Sequence, residues 1–286
     1  MPLIRPSVRR ALGAFGAVLI LILLAGATYQ GVATALERRE FPRPGGLVSV
    51  GDHQLHIYCT GTGAPTVVLE APAAGLSAAW GEVQRRLSGT MRVCSYDRAG
   101  LGWSESGEQP FEPARVPAEL RTLLTRANEH GPFVIAGQGL GAAFARLYAA
   151  RPDSAAAALV LIDPPPVHAA AAQPGWMMSA SPWLARIGVL RACRILSSKA
   201  DGLPAGGALR AFLNRPDHLT RAAAELDEWN ETMKSAAEAE PPAAVHVTTV
   251  DLGARDRFAF LTTPEAVDRV VRAIADATAT ARTRPH

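Results

Sequence analysis

The sequence predicts an α/β fold with a largely parallel sheet. Three observations carry this. Short apolar runs (TVVLEA, FVIA, AALVLID) alternate with amphipathic or alanine-rich helical stretches. The later runs are apolar throughout, as expected of strands covered on both faces. The opening GLVSV and QLHIYCTG flank a turn at Gly51-Asp52, which places an antiparallel pair at one edge of a mixed sheet.

In chain order, MPLIRPSVRR is basic, and ALGAFGAVLILILLAGATYQG then runs without charge until Glu37. About 17–20 apolar residues suffice to cross a bilayer core. We expect a basic stub at 1–10 and a transmembrane signal anchor at 11–30. Arginines before the span predict a cytoplasmic N-terminus and an extracytoplasmic body. The rival is a cleavable signal peptide: Ala25-Gly26-Ala27 is a small-residue site that would start a secreted chain near Thr28.

In QLHIYCTG, Leu55, Ile57 and Cys59 alternate with His56 and Tyr58, the period of a half-buried strand. GTGAP breaks the chain before TVVLEA. The loop PAAGLS leads to a helix around AAWGEVQRRLS, and MRVCSYD is the next strand. After the glycine-rich loop DRAGLGWSESGEQP, VPAELRTLLTRANEH is amphipathic, with Leu120, Leu123, Leu124 and Ala127 on one face. FVIA, LGAAFARLYAARP and AALVLID read as strand, helix, strand. These make a first core segment, 44–164.

A proline- and alanine-rich stretch and further helical sequence form an expected helical cap, 165–241, stopped by Pro241-Pro242. AVHVTTVDL and TPEAVDRVVRAIADATA return to the core at 242–282 as one strand and one helix. Val267, Val270, Val271 and Ile274 share a face there, with Thr262 or Thr263 as N-cap.

Composition narrows the function. The chain has 286 residues and net charge +3, three of its positive charges being Arg5, Arg9 and Arg10. The remainder is near neutral and offers no basic patch for nucleic acid. The cysteines Cys59, Cys94 and Cys193 form no CxxC pair, and the seven histidines have no metal-ligand spacing, so no metal or cofactor is expected. The cysteines read as three small buried residues. If the strands of Cys59 and Cys94 pair, a disulfide joins them in an oxidising compartment. The histidines read as surface or strand residues.

The blocks PTVVLEAPAAGLSAAW, RVCSYDRAGLGWSES, FVIAGQGLGAAFARLYAARP and LVLIDPPP, in this order, resemble the α/β-hydrolase fold. The likeness extends to a bacterial group with an N-terminal membrane segment and returns at RFAFLTTPEAVDRVVRAIADA. It implies a serine in a G-x-S-x-G elbow, a histidine and an acid. The elbow here reads Gly137-Gln138-Gly139-Leu140-Gly141, with Gly139 at the nucleophile position. Arg257 holds the histidine position, and a guanidinium cannot serve as a base near neutral pH.

A strand and helix that would carry the acid are missing between the cap and the last helix. Asp163 stands in as a candidate acid, or is a plain turn aspartate. The N–H groups of Ala73 and Leu140 fall where the resemblance puts oxyanion donors, though Pro72 replaces a usual glycine. Asp97 and Arg98 are expected to tie the YDRAG turn together.

The expected function is therefore a degenerate (pseudo)hydrolase at the membrane that binds a small apolar ligand or a protein partner. Two alternatives stand beside it. One is an active ester hydrolase using a non-standard base in the same cleft, with Glu70 as a group that could activate water, or simply a hydrogen-bonded loop acid. The other is dinucleotide binding. Gly137, Gly139 and Ala142 satisfy G-x-G-x-x-A, and Asp163 lies about 20 residues beyond the turn, the usual place of a ribose-binding acid. In the cap, Trp176, Met177, Met178 and Trp183 could line an apolar pocket, touch a membrane surface, or pack in the core, the last being the more ordinary reading.

Overall fold

The computed structural model describes residues 6–166, 176–201, 206–253 and 263–283. Its seven strands are β1 (Gly46–Ser49), β2 (Gln54–Thr60), β3 (Thr66–Glu70), β4 (Val93–Tyr96), β5 (Phe133–Gln138), β6 (Ala156–Ile162) and β7 (His246–Val250). They form one sheet in the order β1-β2-β4-β3-β5-β6-β7. β1, β2 and β4 pair antiparallel, and every pairing from β4 onward is parallel. Among the described residues one strand, β7, lies between the cap and the last helix, as the sequence indicated.

Besides two short 3-10 turns at Ser77–Trp80 and Ser197–Ala200, ten α-helices are described. They are α1 (Pro6–Glu40), α2 (Gly81–Leu87), α3 (Arg115–Arg126), α4 (Leu140–Ala149), α5 (Trp176–Arg186), α6 (Val189–Cys193), α7 (Gly206–Phe212), α8 (Pro216–Asp227), α9 (Trp229–Glu238) and α10 (Pro264–Thr283). Side-chain alternation along the strands sorts them into layers. Val67, Leu69, Val134, Ala136, Ala158 and Val160 face α2 and α10, meeting Val83, Leu87, Val270 and Ile274. Val68, Ile135, Leu159 and Leu161 face α3 and α4, meeting Leu120, Leu123, Leu124 and Tyr148. A sheet covered on both faces explains why its strands read as continuous apolar runs. The last helix starts as expected: the Thr263 hydroxyl accepts from Ala266 N–H at 3.2 Å, and Pro264 is the first helical residue.

Several local expectations change. His56 breaks the alternation of β2: it is fully buried, because its ring reaches Asp97, Ser77 and the Pro44 carbonyl. Cys59 and Cys94, opposite each other across β2 and β4, are joined in a disulfide, whereas Cys193 is exposed. His218 is neither a surface nor a strand residue. It is buried in the cap helix α8, because Ala74 O and Gly102 N–H satisfy its ring. Trp176 and Trp183 do not pack in a core; they are 79% and 70% exposed. Met178 does pack inward, on the cluster above α4.

α1 is longer than the apolar run that predicts it. Among the described residues it alone is long and apolar enough to cross a membrane, with mean hydropathy 2.3 in its most apolar stretch. It continues into contact with the body. Arg191 pairs with Glu37 and donates to the Gln30 side chain at 2.8 Å, and Gln30 donates to Asn214 O at 2.7 Å.

Candidate functional site

The site forms where β5 ends and α4 begins. Gly137, Gly139 and Gly141 build this turn for different reasons. Gly139 has φ +56° and ψ −122°, a left-handed backbone that a side chain adopts only under strain. At Gly141 the constraint is space: an added Cβ would lie 2.6 Å from Glu70 O and closer still to Ala71 O. At Gly137 it would collide with the backbone of Gly141. The strand thus turns sharply into the helix and pins the apex at Gly139, whose N–H donates to Ile162 O at 2.9 Å.

The geometry is that of an elbow made to present a side chain, yet the residue has none. Around the position a Cβ would take at Gly139, the one described atom within 4 Å outside Gly139 and its two chain neighbours is Pro72 Cβ, at 3.7 Å. Among the described residues, no serine, cysteine, histidine or carboxylate enters that shell. The loop after β3 supplies the facing wall. Ala73 and Leu140, the two candidate oxyanion donors, are both fully buried on either side of the apex.

Arg98 holds that wall in place. Its guanidinium donates to Ala71 O at 2.7 Å and Pro72 O at 2.9 Å, to Glu70 at 2.6 Å, and to both oxygens of Glu225 in α8 at 2.7 and 2.9 Å. Glu225 also accepts from Arg221 and from Ala74 N–H. The cluster is buried throughout. Burial would raise the Glu225 carboxyl, but Arg98 and Arg221 outweigh it and hold Glu225 below the usual carboxylate range. Burial wins at Glu70, which is raised despite Arg98 and the Tyr96 hydroxyl. With one oxygen on Arg98 and the other on Tyr96, Glu70 is a buried, hydrogen-bonded acid at the end of β3 and not a loop residue, and both its oxygens are engaged. Arg98 therefore does more than tie its own turn: it joins β3, the loop after it and the cap.

Asp163 follows β6 beside the apex. Its φ is +43°, and its Oδ1 accepts from Leu252 N–H at 2.6 Å, which is the turn role. Its Oδ2 is buried and has no partner among the described residues. Arg257 lies outside the described residues. Above α4, Leu140, Ala143 and Phe144 pack against Leu226, Trp229 and Met233 of α8 and α9, so the cap covers the apex with apolar side chains.

The structure also brings together a serine, a histidine and an aspartate that the sequence did not single out as a group. Ser77 Oγ lies 3.3 Å from His56 Nδ1, which lies 2.9 Å from Asp97 Oδ2, next to a cleft of about 340 Å³. A working triad needs the acid on one ring nitrogen and the hydroxyl on the other. Here both fall on Nδ1, and Nε2 is taken by Pro44 O. Asp97 further accepts from Ser77 N–H and Trp103 N–H. The group is a structural knot holding the loop after β4.

The nucleotide reading loses its main support. The turn is packed against the loop after β3, Asp163 Oδ1 is engaged by the backbone after β7, and the turn belongs to the fifth strand of the sheet, not the first. Among the described residues, Cys59, Cys94 and Glu129 are close enough to share an ion, but the disulfide uses both sulfurs.

Comparison with known proteins agrees with the fold. An enol-lactonase from Burkholderia xenovorans LB400 superposes with a TM-score of 0.59 at 16% identity, covering 81% of this chain and 99% of that one. In sequence, an uncharacterised protein of Schizosaccharomyces pombe is 34% identical over 82 residues, 29% of this chain and 15% of its own length. An uncharacterised vacuolar membrane protein of Saccharomyces cerevisiae is 36% identical over 89 residues, 31% of this chain and 14% of its own. The chain thus spans about one seventh of the length of these curated relatives. The sequence model of the alpha/beta hydrolase family matches residues 55–285. With its sheet order, its glycine elbow and that match, the chain belongs to the alpha/beta hydrolase family.

Proposed function

We propose that this protein is a catalytically degenerate α/β hydrolase, anchored in a membrane by α1 and acting as a binding protein for a small apolar ligand. The observation that carries the reading is the apex at Gly139. The elbow is built, but no nucleophilic atom stands on it or, among the described residues, within 4 Å of its missing Cβ. Loss of the serine alone lowers turnover in such enzymes by about a millionfold. Arg257 in place of the proton acceptor adds to the deficit.

The choice of an apolar ligand rests on the apolar side chains beside the elbow: Phe111, Phe144, Trp229 and Met233 pack together in one buried cluster at α4. Anchoring is supported by the apolar side chains that α1 leaves exposed and by the polar contacts of its C-terminal half with the body. We read α1 as an uncleaved anchor with a cytoplasmic N-terminus and an extracytoplasmic body. Cleavage after Ala27 would remove Gly26, whose backbone lies against Ile187 O. The Cys59–Cys94 bridge fits a body outside the cytoplasm. On this reading, residues 44–164 and 242–282 form the core and 165–241 the cap.

The test is hydrolysis of acyl esters of graded chain length by the purified full chain in detergent. Rates at the no-protein background are expected. Enzyme-like turnover that is abolished by Asp163→Ala or Glu70→Gln would overturn the reading in favour of an active hydrolase.

A further inference from the structure

The exposed face of α5 sits at a particular height on the membrane helix. Counting about 20 residues at ~1.5 Å rise for a ~30 Å hydrocarbon core, a span beginning at Ala11, after Arg10, ends near Gln30. The body meets α1 at that level. Gly26 and Gly188 cross closely enough that a Cβ on Gly188 would lie 2.9 Å from Gly26 O and 3.2 Å from the Tyr29 ring. Ile187, which follows α5, touches Gly26 as well. The corner between α5 and α6 therefore meets α1 within about one helical turn, ~6 Å, of the point where α1 leaves the hydrocarbon.

Along α5, residues Trp176, Ser179, Trp183 and Arg186 are exposed. Their spacing of three, four and three puts them on one stripe of the helix. Trp183 is one turn from Ile187, and the Arg186 guanidinium lies 4.9 Å from the Trp183 ring centre. Two tryptophans this exposed leave a large apolar area in water. Tryptophan with arginine suits the headgroup zone, where the ring meets acyl chains and the polar groups stay wet. Beside the stripe, a groove of about 560 Å³ separates α1 from the cap. It is lined by Ala27, Gly31 and Ala35 and by three cations, Arg38, Arg39 and Arg186.

We propose that this stripe of α5 is a membrane-contact face, seated on the phospholipid headgroups beside the exit point of α1, with the arginines of the groove turned to lipid phosphates. The proposal rests on the reading of α1 as a membrane span. It adds that the cap itself lies on the bilayer and is not held clear of it.

The full chain is reconstituted in phosphatidylcholine vesicles carrying bromine near the glycerol end of the acyl chains, and tryptophan emission is recorded. Trp80 and Trp229 are buried and the half-buried Trp103 is packed between His56 and Phe212, so quenching should come mainly from α5. The wild-type chain should be quenched, and the double variant Trp176→Phe/Trp183→Phe should lose most of that quenching. Phenylalanine keeps the apolar bulk, and both positions are exposed, so the fold is expected to survive; an unchanged far-UV circular dichroism spectrum checks it. Equal fractional quenching of the two proteins overturns the proposal. An alkaline carbonate wash separates the two readings. Release of the chain from the vesicles overturns the span and the proposal together; retention with unaltered quenching overturns the proposal alone.

Discussion

Replacing Gly139 by serine restores the residue type that an elbow of this family carries, and the structure gives the size of the consequence. The space is available: beyond the adjoining residues of the chain, the nearest described atom to the new Cβ is Pro72 Cβ at 3.7 Å, an ordinary van der Waals distance. The cost is therefore conformational, from φ +56° and ψ −122°. Strain of that kind amounts to about 1–3 kcal/mol, and the stiffer unfolded chain returns about 0.4–1 kcal/mol. A net loss of about 1–2 kcal/mol corresponds to roughly 2–8 °C in Tm for a domain of this size. Gly141→Ala provides the contrast. Its Cβ would press on the carbonyl oxygens of Glu70 and Ala71, which are fixed backbone, so its loss must exceed that of Gly139→Ser. Thermal unfolding followed by circular dichroism at one scan rate, in one detergent, measures both. The reasoning is refuted if Gly139→Ser is as stable as wild type, or less stable than Gly141→Ala. The same serine variant should not hydrolyse acyl esters; activity from that single change would contradict the placement of Arg257 at the base position.

Other consequences are open to measurement. Burial pushes the His218 imidazole from 6.5 down to about 4, so below pH 6.5 the unfolded chain takes up a proton the folded chain refuses. Stability should fall between pH 6.5 and 4 by roughly 3 kcal/mol from this group, and denaturant titrations of His218→Gln should show a flatter pH profile. Arg98→Met leaves Glu70 buried without its cation and Glu225 with Arg221 alone, and should cost about 3–5 kcal/mol, read as a lower denaturant midpoint. The Cys59–Cys94 bridge spans 35 residues of chain, and chain entropy assigns such a loop about 3–4 kcal/mol. Thiol titration of the denatured, unreduced protein should find one reactive group, Cys193, and Cys59→Ser/Cys94→Ser should unfold at lower temperature.

The core was legible because its signals are local. Short apolar or alternating runs between turn signals pointed to the strands, although His56 departs from the alternation in β2, and the glycine turn after Phe133–Gln138 is visible in the sequence. The empty apex at Gly139 could be read directly, since an absent side chain needs no structure to establish. What could not be read depends on distant partners. Arg98 finds Glu225 across 127 residues, and nothing in the spacing of either names the other. The burial of His218 follows from Ala74 and Gly102, which a helix in the cap meets only after folding. Trp176 and Trp183 carry the composition of core residues; only their place on α5 shows that they face outward. A buried arginine just after a strand is the signal that could have prompted a search for a carboxylate in the cap, because such a charge is rarely left alone.

The Arg98 clasp has a bearing on traffic through the molecule. One cation grips the end of a strand, two carbonyls of the facing loop and a helix of the cap, all shielded from solvent. A roof nailed down in this way does not swing like a door, because lifting it would strip several charges of their partners at once. For the binding role proposed above, entry would then run between the helices and not by lifting the cap.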